Sequence, residues 1–245
     1  MEMYSRQITH PGFGAEKQAK LKNSTVLVAG IGGLGGATAW SLASAGIGKL
    51  VLVHAGNLDE ADLNRQTLMT RDWVGKPRIQ KAKTTLQNFN PDIRVETHDF
   101  WIEEKNFQNL LSGSAVDFVI DARHNFKERR IINKVCVEQG IPYVEAAMNA
   151  LEGYVFAVDP GKSACLHCLY PEDPPSWDPF GFSVFGAVSA TIGSMAAMQA
   201  IKYLSGYHEH IFGVLTNLDF TDMKSSQFKI RRDKKCPVCN TRRHV

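Results

Sequence analysis

The chain has 245 residues, of which 44% are hydrophobic, enough to bury the core of one large domain. Basic and acidic residues are interspersed and give a net charge of only +3, and the single basic run at 229–235 is too short to indicate a nucleic-acid partner. No apolar stretch reaches membrane-spanning length and the first residues lack the layout of a secretion signal, so we expect a cytoplasmic protein with no membrane partner.

The first half of the chain alternates short apolar runs with amphipathic or small-residue segments, which predicts strands alternating with helices. The predicted strands are 25–30, 50–54, 93–98, 116–121 and 143–147, and the predicted helices are 33–45, 78–90, 103–111 and 126–139. Strands joined through helices at this spacing need right-handed crossovers. The sequence therefore predicts an α/β fold with a Rossmann-like, doubly wound and mostly parallel sheet.

The pattern changes after residue 150. We predict a strand at 153–159, an irregular loop rich in proline at 165–182, an apolar helix at 187–204, and a final antiparallel pair of strands at 211–220 and 226–232. No flexible linker separates the two halves of the sequence. We therefore expect residues 1–245 to form one domain, with 151–245 as an extension of 1–150.

A glycine-rich turn lies between the first predicted strand and the first predicted helix. Its glycines are Gly30, Gly32, Gly33 and Gly35. They allow a tight turn and a close approach to a ligand, and the first N–H groups of the following helix attract phosphate. A tight turn with close helix packing and no ligand is the alternative.

A nicotinamide-dependent oxidoreductase would use the same glycine turn. Such an enzyme also places an acidic residue about 20 residues further on, at the end of the second strand, to hold the ribose hydroxyls. Here that strand runs into His54, Ala55 and Gly56, with no acid before Asp59. The sequence therefore favours a different nucleotide chemistry, and the oxidoreductase stays as a second alternative.

The five cysteines occur as two CxxC pairs and the isolated Cys136. In a reducing compartment, paired cysteines indicate metal or redox chemistry before a structural disulfide. Two CxxC pairs supply the four soft ligands of a closed tetrahedral zinc site, and redox-active thiols are the alternative. The expected ligands of this structural zinc are Cys165, Cys168, Cys236 and Cys239. We interpret His167 as a bystander and Cys136 as a core residue.

Polar side chains follow the ends of the second and fourth predicted strands, the edge at which an open parallel sheet binds its ligands. These side chains are Asp62, Asn64, Arg65, Gln66, Asp121, His124 and Asn125. Arg65, Arg78 and Arg129 are planar donors suited to phosphate. Each arginine taken singly is more often a solvated surface group, so it is their convergence on the glycine turn that predicts a phosphate site.

Taken together, these residues resemble the HesA/MoeB/ThiF family, relatives of the ubiquitin-activating enzymes, over essentially the whole chain. The matching segments are 4–8, 30–35, 63–66, 125–129 and the two CxxC pairs. Within the family, residues 54–56, 62–65 and 124–125 resemble the HesA branch, a group associated with nitrogen fixation and with metal-cofactor or sulfur metabolism.

The resemblance implies an ATP-dependent adenylyltransferase that acts on a small ubiquitin-like sulfur-carrier protein ending in Gly-Gly. In that family the carrier's C-terminal carboxylate attacks the α-phosphate of MgATP. By the matching motifs, the glycine turn would bind the nucleotide phosphates, Asn64 and Arg65 the phosphate tail, and Asn125 and Arg129 the magnesium side. Arg6 would reach across a homodimer interface. The family also implies that 1–150 is the nucleotide-binding half and 151–245 a zinc-bearing, carrier-binding extension.

Four family positions are changed in this chain. The family's ribose-binding aspartate corresponds here to Gly56, and the residue that accompanies it corresponds to His54. The family's magnesium-binding aspartate corresponds to His124, and its phosphate-binding lysine to Arg78. Histidine is a poor ligand for magnesium. We therefore expect Asp121 or Asp62 to contact the metal and His124 to donate to phosphate, with Gln66 and Lys81 also near the nucleotide. The alternative is an impaired site that binds nucleotide without turnover, as a scaffold for cofactor assembly.

Ser183 stands where some relatives carry a thioester cysteine, so we expect no thioester step at this position. Adenylation would then be the last step of the chain's own chemistry. The aromatic residues Trp177, Phe180, Phe182 and Phe185 are candidates for a cover over the carrier tail, with ordinary packing as the alternative.

Overall fold

The computed structural model describes residues 2–174 and 183–240. Its helices are α1 (Ser5–Ile8), α2 (Gly14–Lys22), α3 (Gly33–Ala45), α4 (Arg78–Phe89), α5 (Glu104–Gly113), α6 (Phe126–Gln139), α7 (Leu166–Leu169) and α8 (Gly186–Ser205). Its strands are β1 (Thr25–Ala29), β2 (Lys49–Val53), β3 (Arg94–His98), β4 (Phe118–Asp121), β5 (Tyr143–Asn149), β6 (Glu152–Val158), β7 (Val214–Asp219) and β8 (Lys224–Lys229). The expectations for Trp177, Phe180 and Phe182 lie outside the described residues.

The strands form one eight-stranded sheet in the order β3-β2-β1-β4-β5-β6-β7-β8. Strands β1 to β5 pair in parallel, and β5 to β8 pair antiparallel. The predicted doubly wound, mostly parallel sheet with antiparallel strands at its C-terminal end is therefore confirmed. In the register, Ala29 pairs with both Val53 and Asp121, so β1, β2 and β4 end together at one edge of the sheet.

Helices cover both faces of the sheet because alternate residues of each buried strand point to opposite sides. Val26 and Val28 of β1 belong to a core that includes residues of α2, α3, α4 and α8. Leu27 and Ala29 of the same strand belong to a second core formed with α5 and α6. The inner parallel strands β1, β2 and β4 are therefore buried on both faces, which explains their apolar runs, whereas the edge strand β3 is only partly buried.

Helix α8 packs very closely on α3, and small residues permit the approach. A Cβ on Gly193 of α8 would lie 2.3 Å from the Leu34 carbonyl oxygen of α3. The Thr38 hydroxyl of α3 donates to the Gly193 carbonyl at 2.9 Å. The second half of the chain thereby supports the helix that begins at the glycine turn.

Three short segments depart from the sequence expectations. Helices α1 and α2 were not predicted, because both are short and neither has large apolar residues repeating with the helical period. The loop at 165–182 was expected to be irregular but contains the one-turn helix α7. None of the helices within the described ranges is long and apolar enough to cross a membrane.

Candidate functional site

A cavity of about 470 Å³, called the main cavity below, opens where β1, β2 and β4 end. This volume lies within the range of small-molecule sites in proteins. Of the residues expected at a ligand site, the main cavity is lined by Gly32, Gly33, Asp62, Arg65, Gln66, Arg78, His124 and Arg129. The convergence of the two strand-end segments on the glycine turn is thus present in the fold.

The glycine turn between β1 and α3 is packed too tightly for side chains at two positions. Gly30 has a φ of +104°, and a Cβ there would lie 2.6 Å from the Ala122 carbonyl oxygen. A Cβ on Gly35 would lie 1.8 Å from the Gly30 carbonyl oxygen. Gly30 and Gly35 therefore shape the turn from behind, while Gly32 and Gly33 line the main cavity at the start of α3. The positive end of the α3 dipole would therefore face a ligand bound there.

Asp62 organises two arginines at the main cavity. Its Oδ1 accepts from Arg65 Nη2 at 2.8 Å, and its Oδ2 lies 3.2 Å from Arg78 Nη1. Arg78 also donates to the carbonyl oxygens of Gly56 and Asn57, and burial lowers its pKa from the ordinary value. Since a guanidinium stays charged over the whole physiological range, the pair presents two fixed cations to a ligand.

Gln66 is buried beside these arginines and lines the main cavity. Its Oε1 has no hydrogen-bond partner among the described residues. A buried polar oxygen normally has a partner, so an orphaned one at a cavity wall marks a position for water or a ligand. This orphan supports a polar ligand in the main cavity.

A buried cluster that the sequence analysis missed lies next to Gly56. The guanidinium of Arg123 donates to Glu128 Oε2 through Nε at 2.9 Å and Nη2 at 2.7 Å, and its Nη1 lies 3.1 Å from His54 Nδ1. The Ile31 N–H also donates to His54 Nδ1 at 3.0 Å. Burial and then the charge of Arg123 hold the pKa of His54 well below its ordinary value, so His54 is neutral and accepts these hydrogen bonds. The local signal was a charged residue, Arg123, two positions after the last residue of β4.

Asp121, expected as a possible magnesium contact, is fully buried and is not among the lining residues. Its Oδ1 accepts from the Arg123 N–H at 3.0 Å, and burial raises its pKa to about 7. Nearby, Arg129 pairs with buried Glu145 at 2.5 Å. Although burial alone would lower the pKa of Arg129, the Glu145 and Asp121 carboxylates raise it.

The remaining expected residues lie outside the lining of the main cavity. Asn125 caps α6 by accepting from the Glu128 N–H at 2.9 Å. Asn64 is exposed and donates to the Val184 carbonyl at 3.3 Å, and the Lys81 ammonium lies 5.6 Å from the Trp73 ring centroid. Arg6 is exposed on α1. The structure brings none of these four side chains into the main cavity.

The described carboxylates that line the main cavity are those of Asp59 and Asp62. Proteins commonly hold magnesium through one or two carboxylates, with waters and substrate phosphates as the other ligands. His124 also lines the main cavity, and burial followed by the charge of Arg123 lowers its pKa, so its ring is neutral near pH 7. The donor set therefore fits a magnesium ion that is held mainly by a phosphorylated substrate.

The four expected zinc ligands lie together. Their Sγ atoms are all within 4.8 Å of one another, with Cys165 and Cys236 at 3.7 Å and Cys168 and Cys239 at 3.5 Å. A tetrahedral zinc with sulfur ligands places its sulfurs about 3.8 Å apart. All four are free thiols, so the cluster could hold a closed tetrahedral zinc. Cys136 is fully buried in α6, as expected of a core residue, and burial raises its pKa well above the ordinary value.

Comparison of the sequence with known proteins identifies relatives of this chain. The model of the ThiF family matches residues 4–238. The chain is 46% identical over 239 residues to the protein HesA, heterocyst, of Trichormus variabilis, covering 98% of this chain and 88% of that protein. It is 33% identical to a sulfur carrier protein adenylyltransferase of Thermus thermophilus, covering 98% of this chain and 90% of that protein.

A solved structure of Escherichia coli MccB with ATP has the same fold. Its TM-score to this chain is 0.85 at 26% identity, and the match covers 98% of this chain and 75% of that one.

Proposed function

This chain belongs to the ThiF family, and we propose that it uses ATP to adenylate the terminal carboxylate of a carrier protein. The finer form of the proposal is that the carrier is a small ubiquitin-like sulfur carrier ending in Gly-Gly. Relatives whose names are sulfur carrier protein adenylyltransferase and SAMP-activating enzyme E1 support it, since each aligns with nearly the whole chain.

The observation that carries the proposal is the meeting of Arg65, Arg78 and the start of α3 in the main cavity. Two guanidinium groups fixed by one carboxylate, beside the positive end of a helix, suit a polyphosphate. Gln66 adds a buried oxygen, Oε1, that has no hydrogen-bond partner among the described residues and could accept from a ligand. MccB, which shares the fold, has been solved with ATP, and this supports a nucleotide as the ligand of this chain.

The reaction would need little covalent chemistry from the protein. A carboxylate oxygen of the carrier attacks the α-phosphorus of ATP, a new P–O bond forms, and the bond to the leaving pyrophosphate breaks. Magnesium would neutralise phosphate oxygens, with Asp62 as the proposed protein contact and Asp121 held behind the cavity wall. Arg65, Arg78 and neutral His124 would hold the charge that develops on the phosphate oxygens.

The carrier tail has a proposed route of approach. A second cavity of about 250 Å³, called the side cavity, lies along β5 and β6 and shares Arg129, Ala147 and Met148 with the main cavity. Its walls include Phe126, Tyr154 and Tyr170, among other residues. A tail lying in the side cavity would bring its carboxylate to Arg129, next to the nucleotide.

Adenylation would be the final step performed by this chain. Ser183 carries no thiol, Cys136 is fully buried, and the other four cysteines lie together as candidate metal ligands. We also propose a homodimer in which Arg6 serves the partner's site, since Arg6 is exposed and does not line the main cavity of its own chain.

A second candidate function is a nucleotide-binding scaffold without turnover. The feature that favours it is the presence of Gly56 and His124 where the family carries carboxylates, which leaves Asp59 and Asp62 as the described carboxylates that line the main cavity. A scaffold would bind ATP but would not exchange pyrophosphate.

The test is ATP–pyrophosphate exchange, measured with purified chain and each ubiquitin-like carrier encoded by the same genome. Adenylation predicts exchange that depends on one carrier and is lost in Arg65→Ala. The matched control is Arg71→Ala, which removes an exposed arginine paired with Glu60 outside the main cavity. ATP binding without exchange for any carrier would favour the scaffold, and no binding of MgATP to zinc-loaded, folded chain would contradict both.

A further inference from the structure

An exposed tryptophan at the rim of the main cavity has no role in the fold described so far. Trp101 follows β3 by three residues, lines the main cavity, and is 55% exposed. Large aromatic side chains usually bury most of their surface, because burial is where they contribute most stability. An exposed indole facing a cavity is therefore a candidate contact for a ligand.

The backbone around Trp101 is held on both sides. Its carbonyl oxygen accepts from Asn106 Nδ2 at 3.0 Å, and the next N–H, of Ile102, donates to Glu128 Oε1 at 2.9 Å. The Ile102 side chain is buried in the second core. The indole is thus presented on a fixed segment, so little ordering would be needed when a ligand packs against it.

Arg123 lies against one face of the indole. Its guanidinium carbon is 5.5 Å from the Trp101 ring centroid, within the range of a cation–π contact. Arg123 is itself almost completely buried and is fixed by Glu128 and His54. Since Arg123 covers one face of the ring and Trp101 as a residue remains more than half exposed, the opposite face is left for another flat group.

The strand order predicts which part of a nucleotide reaches Trp101. Phosphates belong at the start of α3, directly after β1, and a nucleotide in an open α/β sheet extends from there across the ends of the neighbouring strands. Moving outward, the sheet continues with β2 and then β3. The segment 54–57 after β2 lies where a sugar would sit, and Trp101 lies beyond it, where a base would sit.

We propose that Trp101 is the residue that stacks on the nucleotide base, with Arg123 as the positioning residue that holds the indole. This inference rests on the proposed function, because it requires a nucleotide in the main cavity. It adds a recognition element that does not depend on carboxylates: the base is held by stacking on a cation-backed indole. Stacking uses the flat face shared by all nucleobases.

The experiment compares MgATP binding by calorimetry in the wild-type chain, Trp101→Ala, Trp101→Phe and the control Trp40→Ala. Trp40 is also an exposed tryptophan, but it stacks on Phe89 at 4.1 Å and does not line the main cavity. Trp101→Ala should raise the Kd about 5- to 150-fold, as expected for one lost base–aromatic stack. Trp101→Phe should stay close to wild type because it keeps an aromatic face, and Trp40→Ala should be unchanged.

Intrinsic fluorescence gives a second readout that a purely structural role would not move. ATP should change the tryptophan emission of the wild type and of Trp40→Ala, whereas Trp101→Phe should bind ATP without that change. Three results would overturn this inference without touching the proposed function. They are a wild-type ATP affinity in Trp101→Ala, an ATP affinity in Trp101→Phe as weak as that in Trp101→Ala, and an undiminished emission change in Trp101→Phe. Absence of ATP binding by the wild type would instead contradict the proposed function, and this inference with it.

Discussion

Two ion pairs that each include one residue of α6 have the same length but very different burial, which allows a direct test of what the buried pair contributes. Arg123 Nη2 lies 2.7 Å from Glu128 Oε2, and the side chains of Arg123 and Glu128 are only 2% and 6% exposed. Lys134 Nζ lies 2.7 Å from Glu104, and these side chains are 44% and 46% exposed. Distance alone would predict equal effects, whereas solvent screening predicts unequal ones.

Removing the buried cation should be strongly destabilising. Truncation of one partner of a buried pair typically lowers the free energy of unfolding by about 3–5 kcal/mol, because a buried charge is left without its partner. In Arg123→Met the Glu128 carboxylate keeps the hydrogen bonds from the Ile102 N–H and from Asn125. We therefore expect the low end of that range, about 3 kcal/mol. Lys134→Met should change the unfolding free energy by less than about 1 kcal/mol.

The measurement is denaturant unfolding of Arg123→Met, Glu128→Gln, the double variant and Lys134→Met. The double variant removes the uncompensated charge, so it should be more stable than Arg123→Met by at least about 1 kcal/mol. The reasoning is refuted if Arg123→Met costs no more than Lys134→Met, or if Glu128→Gln brings no recovery in the Arg123→Met background.

Three further predictions concern the turn, the thiols and a buried carboxyl. Gly35→Ala should abolish folding or ATP binding, since its Cβ would lie 1.8 Å from the Gly30 carbonyl oxygen. Gly36→Ala in the same helix is the control, because its Cβ meets only Leu68, at 3.6 Å, and ATP binding should stay intact. Calorimetry with ATP compares the two variants. Metal analysis should find one zinc per chain, bound by the four grouped cysteines. Cys165→Ser should lose the zinc and have a lower Tm, whereas Cys136→Ser should keep the zinc. Equal zinc content in the two variants would contradict the four-thiolate site. In the folded chain the pKa of Asp121 is raised from 3.8 to about 7, so between these values the folded state binds a proton that the unfolded state has lost. The free energy of unfolding should therefore fall as the pH rises from about 4 to 7. Asp121→Asn should flatten that slope in unfolding measured at several pH values, and an unchanged slope would show that another group titrates.

Local patterns determined most of the secondary structure. Helix Phe126–Gln139 and helix Gly33–Ala45 have the predicted bounds, and the other elements of the alternating half differ at their ends by a few residues. These elements are set by apolar period and by glycine and proline, which act over one or two turns of chain. The two CxxC pairs also fixed the candidate metal ligands, because the chemistry of sulfur leaves few other uses for such spacing.

The composition of the candidate site was decided by the tertiary structure. The strand-end pattern and the family resemblance led us to expect Asp121, Asn125 and Lys81 beside the nucleotide, but in the fold Asp121 is buried behind the main cavity, Asn125 caps α6 and Lys81 lies near Trp73. The contact between His54 and Arg123 joins residues 69 positions apart, and no local pattern announces it. Burial and charge pairing depend on which segments the crossovers bring together, so they fix each side chain's partner, exposure and pKa only once the sheet has formed.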